Sequence, residues 1–237
     1  MKERLKSVLS RIEGAAKRAG RDPAGVRLVC IAKTHGAEAV AALAGVWTGP
    51  GALLVGENYM QEALEKQELI RKIAPETRIE WHFTGHVQSK KARDVPGNFG
   101  LLHTLDSEKL ALALQRSVAA LPAGTRQAVL MQVNVGREAQ KSGVLPEDAE
   151  KLAAFVAGIP ELDLRGLMCI PPLDGTMEES RPYFASLREL RDGLEKSTGL
   201  ALPELSMGMS GDLEAAVEEG ATYVRVGTDI FGARERR

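Results

Sequence analysis

The chain has 237 residues, with 31 Lys and Arg against 32 Asp and Glu, a formal net charge of -1, and 44% hydrophobic and 27% charged residues. That is an ordinary globular composition, and near-neutral charge with only 4% aromatics excludes the basic footprint and stacking surface of a dedicated nucleic-acid binder. No stretch approaches the roughly 20 apolar residues that span a bilayer, and Met1-Lys2-Glu3-Arg4-Leu5-Lys6 lacks the apolar core of a signal peptide, so the expected location is cytoplasmic, away from membranes.

Taken in chain order, Leu5, Val8, Leu9, Ile12, Ala15 and Ala16 recur at helical spacing and stop at Gly20-Arg21-Asp22-Pro23, predicting a leading helix. The apolar run Arg27 to Lys33 is short and rich in β-formers, and an alanine-rich helical stretch follows from Ala37 to Ala44. This strand–helix unit repeats. Ala52 to Asn58 leads into a helix from Tyr59 to Lys72, with Leu64, Leu69 and Ile73 as its apolar stripe. Ile79 to Gly85 leads into a short basic helix from Ser89 to Asp94. Leu101 to Leu105 precedes a helix capped at Asp106-Ser107 and running through Leu121. Gln127 to Val135 precedes a helix that begins at Pro146-Glu147-Asp148. The last strands are Leu162 to Ile170, Glu204 to Met207 and Tyr223 to Gly227, separated by helices from Met177 to Lys196 and from Asp212 to Glu219.

About eight such units in roughly 250 residues predict an α/β fold, a closed (β/α)8 TIM barrel, better than an open doubly wound sheet. The first strand ends in Lys33-Thr34-His35-Gly36 rather than in the glycine-rich fingerprint of a dinucleotide site. With no linker and no break in composition, residues 1–237 read as one domain, expected to be a monomer. Cys30 and Cys169 sit in apolar runs and read as core thiols.

In such a barrel the chemistry lies at the carboxyl ends of the strands. Strands seven and eight end in Ser206-Met207-Gly208-Met209-Ser210-Gly211 and Arg225-Val226-Gly227-Thr228-Asp229, the two loops that form the usual phosphate site of barrel enzymes. Glycine admits backbone N–H groups to an anion and the hydroxyls add donors, so a phosphate-bearing ligand is expected. The bland alternatives are that Ser210 caps the next helix and that Gly227 only makes a turn. Lys33 near an apolar mouth could act as a neutral amine that condenses with a carbonyl, or be a solvated strand-end lysine, and the spacing favours the latter. Arg225 alternates with Gly227, so it could reach a ligand held there, or form a structural ion pair. Asn58-x-x-Gln61 has the form of a capping box. His82 and His86 have the spacing of a helical metal pair, but Phe83-Thr84-Gly85 between them reads as strand end and loop, so no metal is expected. Lys141 falls in a polar loop after strand five.

Joined together, Ala32-Lys33-Thr34, Gly56-Glu57-Asn58-Tyr59-Met60-Gln61-Glu62, Trp81-His82-Phe83-Thr84-Gly85-His86-Val87-Gln88, Lys141-Ser142-Gly143, Gly166-Leu167-Met168, Leu205 to Ser210 and Val224 to Gly232 resemble the pyridoxal phosphate homeostasis protein family, in family order over nearly the whole chain. The family fold is similar to the barrel domain of alanine racemase. The resemblance implies that Lys33 holds pyridoxal 5'-phosphate (PLP) as an internal aldimine, that Arg225 faces the pyridine nitrogen, and that Ser210, Gly227 and Thr228 hold the phosphate. It implies further that Asn58, Ser206 and Met207 line the pocket, with His86 and Lys141 nearby. Gly36 stands where the family usually has proline, and Ser89-Lys90-Lys91 replaces a more usual polar-Asn-Lys ending.

The implied function is reversible PLP binding, buffering free cofactor and delivering it to apo-enzymes without robust turnover. A permanently charged Arg225 makes the bound ring a weak electron sink, which disfavours transamination. Racemisation would need acid–base groups on both faces of the substrate carbon, with no second domain expected to bring one. The alternatives are a PLP-dependent amino-acid racemase and a cofactor-free Schiff-base lysine aldolase.

Overall fold

In the computed structural model, which describes residues 1–172 and 176–232, the leading helix α1 spans Lys2–Arg18. The barrel begins with β1 (Arg27–Ile31), α2 (Ala37–Ala44), β2 (Leu53–Glu57), α3 (Met60–Ile73) and β3 (Ile79–Phe83). A 3₁₀ turn, Ser89–Asp94, replaces the third crossover helix, before β4 (Leu101–Leu105), α4 (Glu108–Val118) and β5 (Gln127–Gln132). The chain continues through α5 (Ala149–Ala157), β6 (Leu162–Met168), α6 (Met177–Thr198), β7 (Glu204–Ser206), α7 (Leu213–Glu218), β8 (Tyr223–Val226) and α8 (Thr228–Phe231). All strand pairs are parallel, and β8 closes the barrel on β1 with Val29 opposite Arg225 and Cys30 opposite Val226.

Two apolar cores result from the alternation of side chains along each strand. Outward-facing residues such as Cys30, Val55, Phe83 and Val224 pack under the helices, whereas Val29, Leu54, Leu101, Ala128, Leu130, Met168 and Tyr223 fill the barrel. Gly56 belongs to the inner set by omission, since a Cβ there would stand 2.5 Å from Ile31 Cδ1 and 2.9 Å from Val29 Cγ1. Cys30 and Cys169 are fully buried, and burial pushes both thiols up, Cys169 to about 12, so neither is a thiolate near neutrality.

The eighth helix is only four residues long, and α1 packs beside α7 and α8 in the outer layer. Arg11 fixes it there: its guanidinium pairs with Glu214 at 2.6 Å and Asp229 at 2.7 Å and donates to the Ser210 carbonyl at 2.8 Å. The longest helix, α6, starts at a capping box between Thr176 and Glu179 and stops at Gly199, whose φ of 70° is the left-handed C-cap.

The structure corrects several predicted boundaries and one face. The strand predicted to reach Val135 ends at Gln132, and the helix predicted to reach Leu121 ends at Val118. On α3 only Leu64 of the predicted stripe packs against the core, and Leu69 and Ile73 face outward, 39% and 46% exposed. The buried face is Met60, Ala63, Lys66, Gln67 and Ile70, in which two polar side chains interrupt the apolar period. Both have interior partners, Lys66 in an ion-pair cluster and Gln67 on the Asn98 carbonyl at 3.1 Å.

Where β6 shifts register against β5, Gly166 takes φ 154° and a Cβ on it would lie 1.9 Å from the Glu204 carbonyl oxygen of β7. Replacing it is a backbone collision as well as a φ penalty. Gly166→Ala is expected to destabilise the fold by about 2 kcal/mol or more, read as a lowered urea midpoint with unchanged m-value; a midpoint equal to the parent's would refute the close approach.

Candidate functional site

Lys33, Asn58, Ser206, Met207, Ser210, Arg225, Gly227 and Thr228 all lie at the carboxyl ends of β7, β8, β1 and β2, four neighbours around the barrel. Parallel strands bring these ends to one mouth although the residues come from opposite ends of the sequence.

Lys33 does not close β1, which ends at Ile31; it sits in a turn, half-buried, next to Thr34 at φ 66°. A left-handed β-branched residue costs roughly 1–3 kcal/mol and persists only where neighbours hold it. Here the Thr34 N–H donates to Glu62 Oε1 at 2.7 Å, and Lys66 Nζ donates to the Ala32 carbonyl at 2.7 Å. Lys66 also bonds Glu62 Oε1 at 2.9 Å and Glu57 Oε1 at 2.5 Å, so one buried ammonium grips the residue before Lys33 and, through Glu62, the residue after it. His35 stacks on Phe231 of α8 at 4.7 Å, and Gly36 has φ -69°, the value proline would impose. The glycine at the usual proline position therefore leaves the turn in its proline-compatible shape.

Asn58 does not cap α3: its Oδ1 accepts from the Thr84 hydroxyl at 3.0 Å, and Gln61 turns to Glu65. The Asn58 backbone is packed so closely that a Cβ on Gly85 would lie 2.1 Å from its carbonyl oxygen. Ser210 does not cap α7 with its side chain either, since Asp212 is the N-cap and its Oδ1 accepts instead from the Met209 N–H at 2.6 Å. The chain turns back at Gly208, φ 90°, where a Cβ would meet that of Ala216 at 2.5 Å, and β8 runs into Gly227, where a Cβ would stand 3.1 Å from the Ile31 carbonyl. Met207 is fully buried in the core under the helices.

Arg225 is 5% exposed; its Nη1 donates to Ser206 Oγ at 2.7 Å and its Nη2 to the Cys169 carbonyl at 2.8 Å. Among the described residues no carboxylate pairs with it, so the structural ion pair is not what holds it. Burial lowers its affinity for the proton, yet a guanidinium stays charged, leaving a desolvated cation at the mouth. The carboxyl-end mouth thus brings together an amine, a buried cation, hydroxyls and a glycine-shaped backbone recess.

His82 and His86 diverge: His82 is inside the barrel, whereas His86 is exposed at the rim, 3.6 Å from Asp106 and 3.4 Å from the Ser142 hydroxyl. Lys141 pairs with Glu138 and donates to the Pro171 carbonyl at 2.9 Å, so it is a tethered rim lysine. Sequence reasoning passed over Thr34, Glu57, Glu62, Lys66 and His103. For Glu62 and Lys66 the four-residue spacing on one helix was the available signal.

A family model described as "Alanine racemase, N-terminal domain" matches residues 4–235. The chain is 42% identical over 233 residues to the pyridoxal phosphate homeostasis protein of Aquifex aeolicus, covering 98% of each chain. It is 45% identical over 236 residues to that of Pseudomonas aeruginosa, covering 98% of this chain and 95% of the relative. Among solved structures, PipY of Synechococcus elongatus with PLP bound superposes with a TM-score of 0.80 at 34% identity, covering 98% of this chain and 99% of that one.

Behind the Lys33 turn, Glu57 is fully buried, with Oε2 lacking a partner, and burial pushes its carboxyl up to about 7 against the opposing pull of Lys66. Between its ordinary 4.5 and about 7 the unfolded chain releases this proton while the native state keeps it, so Glu57 makes stability fall as pH rises through that window. The effect is on the order of 3 kcal/mol. Glu57→Gln is expected to remove that slope: urea midpoints of parent and variant should diverge from pH 4.5 to 7 and run parallel above it, and parallel curves throughout would contradict the buried acid.

Proposed function

Because the chain belongs to the alanine racemase N-terminal domain family, and within it to the pyridoxal phosphate homeostasis proteins, we propose that it binds PLP and acts in intracellular PLP homeostasis. It buffers the free cofactor and releases it to apo-enzymes rather than turning over a substrate. The observation that carries this reading is Arg225, a buried guanidinium without a carboxylate partner among the described residues, at the mouth where Lys33 and the glycine-bearing loops meet.

The cofactor, when bound, supplies an aldehyde with which an amine condenses, releasing water. Lys33 is the amine in this proposal, held in place by the Glu62 and Lys66 contacts on either side of it. Ser210 and Thr228 present hydroxyls, and Gly227 a backbone close to β1, for the phosphate. Arg225 would face the ring nitrogen and, as a donor that does not give up its proton, would leave that nitrogen unprotonated. Ser206 acts through Arg225, its hydroxyl already engaged there, and Met207 contributes through its backbone because its side chain is buried elsewhere. Asn58 is braced by Thr84 at the edge of the pocket. A weakly activated ring suits a carrier better than a catalyst.

The protein acts as a monomer in the cytoplasm on this reading; among the described residues no helix is long and apolar enough to cross a membrane.

The test is the visible spectrum of the purified protein loaded with PLP, before and after borohydride, with mass mapping of the reduced peptide. The expected result is a band that reduction abolishes, a phosphopyridoxyl group on Lys33, and no such band in Lys33→Ala. A colourless protein after incubation with PLP would reject the reading, and Lys33-dependent inversion of an amino acid in a chiral assay would replace the carrier by a racemase.

A further inference from the structure

A line of hydrogen bonds crosses the barrel from the mouth to its opposite face. Arg225 Nη1 donates to Ser206 Oγ at 2.7 Å; Ser206 Oγ lies 2.8 Å from His103 Nδ1; His103 Nε2 lies 3.0 Å from His82 Nδ1; and His82 Nε2 lies 3.1 Å from Glu80 Oε1. Ser206, His103 and His82 have no exposed surface, whereas the Glu80 side chain, near the amino end of β3, is 51% exposed. Tyr223 meets the two imidazoles edge-on at 5.5 and 5.6 Å, and Arg27 covers its ring at 3.9 Å, so the rings have little room to turn.

The two ends dictate the order between them. A guanidinium only donates and a carboxylate only accepts. The His82 hydrogen bond holds the Glu80 carboxyl below its ordinary range, so it is ionised, while complete burial pushes His103 well down and keeps it neutral. Ser206, having accepted from Arg225, has its proton to give to His103 Nδ1; His103 then carries its proton on Nε2 and gives it to His82 Nδ1; His82 carries its own on Nε2 and gives it to Glu80. The opposite order would put a bare His82 Nε2 against a carboxylate, or require a second proton on that ring.

We propose that Ser206, His103, His82 and Glu80 form a one-directional hydrogen-bond chain, with both imidazoles fixed as neutral Nε2–H tautomers, that positions the Arg225 guanidinium for the bound ring. The positioning role rests on the PLP reading; the tautomers do not. The chain lets Arg225 share a counter-charge through four links instead of facing a carboxylate directly, so its remaining N–H groups stay available to a ligand acceptor. His103, His82 and Glu80 are positioning residues on this account, since none reaches the mouth.

The test has two readouts. Histidine side-chain ¹⁵N spectra of the full-length protein without PLP are expected to show His82 and His103 each with a protonated Nε2 and a bare Nδ1. A proton on Nδ1 of either ring, or a doubly protonated His82, would overturn the chain. PLP titration followed by absorbance is expected to show at least about tenfold weaker retention in His103→Leu, because Ser206 and His82 lose their partner. Glu80→Gln, which keeps an acceptor oxygen but removes the counter-charge, is expected to keep the tautomers and to lose less retention than His103→Leu, because the bond is preserved while the charge is not. Unchanged retention in a folded His103→Leu would overturn the positioning role; if that variant does not fold, Glu80→Leu replaces it, with an expected loss of retention and a displaced His82 resonance, and parent-like values for both would overturn the role equally. If the parent takes up no PLP, the functional reading fails while the ¹⁵N pattern still decides the chain.

Discussion

Closure of the barrel between the first and last strands is the constraint on which the site depends. Parallel pairing sets Val29 against Arg225 and Cys30 against Val226, which carries the turn at Lys33 and the loop at Gly227 to adjacent places on the rim. The approach is close enough that a Cβ on Gly227 would stand 3.1 Å from the Ile31 carbonyl oxygen. The short α8 leaves room in the outer layer, and α1 reaches across to pin the Ser210 loop and α8 through Arg11. Residues from both ends of the sequence thus form one rim without relying on loop order alone.

The barrel interior is unusual in what it buries. An inner core of Val29, Leu54, Leu101 and Leu130 is interrupted by His82, His103, Ser206 and Arg225. Burying such groups is unfavourable unless each donor and acceptor is met, and a half-satisfied network would be worse than an apolar core. The hydrogen bonds from Arg225 to Glu80 give the polar side-chain atoms of Ser206, His103 and His82 a partner each, and Gly56 leaves the inner layer room beside Val29 and Ile31.

Much of this was legible in the sequence because the strands are short apolar runs with turn signals at their ends, and the mouth residues follow from the rule that chemistry lies at the strand carboxyl ends. That rule led to the expectation that Lys33, Arg225 and the two glycine-bearing loops lie at the mouth, where the structure has them, whereas a role for Lys33 came from the family resemblance and not from its spacing. The exposed face of α3 was misassigned because Lys66 and Gln67 are buried with polar partners, so the true inner stripe does not read as apolar. The His82–His103 contact joins residues 21 apart and the His103–Ser206 contact residues 103 apart, and no local pattern encodes which side chains share a barrel layer. Asn58-x-x-Gln61 has the right residues for a capping box, but Thr84 competes for the Asn58 oxygen and wins.

The Lys33 turn shows how strain and burial are coupled at the site. Thr34 in the left-handed region is unfavourable by itself, and it is stabilised by a Glu62 carboxylate that Lys66 in turn anchors. Lys66 is 4% exposed and would be costly alone, but Glu57, Glu62 and the Ala32 carbonyl surround its three donors. Removing Lys66 would leave the buried Glu57 carboxyl and the Ala32 carbonyl without their shared donor, so these contacts are coupled rather than independent. The backbone on either side of Lys33 is thereby held, by Lys66 at Ala32 and by Glu62 at Thr34. Glu57, fully buried and with Oε2 lacking a hydrogen-bond partner, lies in that cluster, which places the structural cost of the arrangement behind the Lys33 turn.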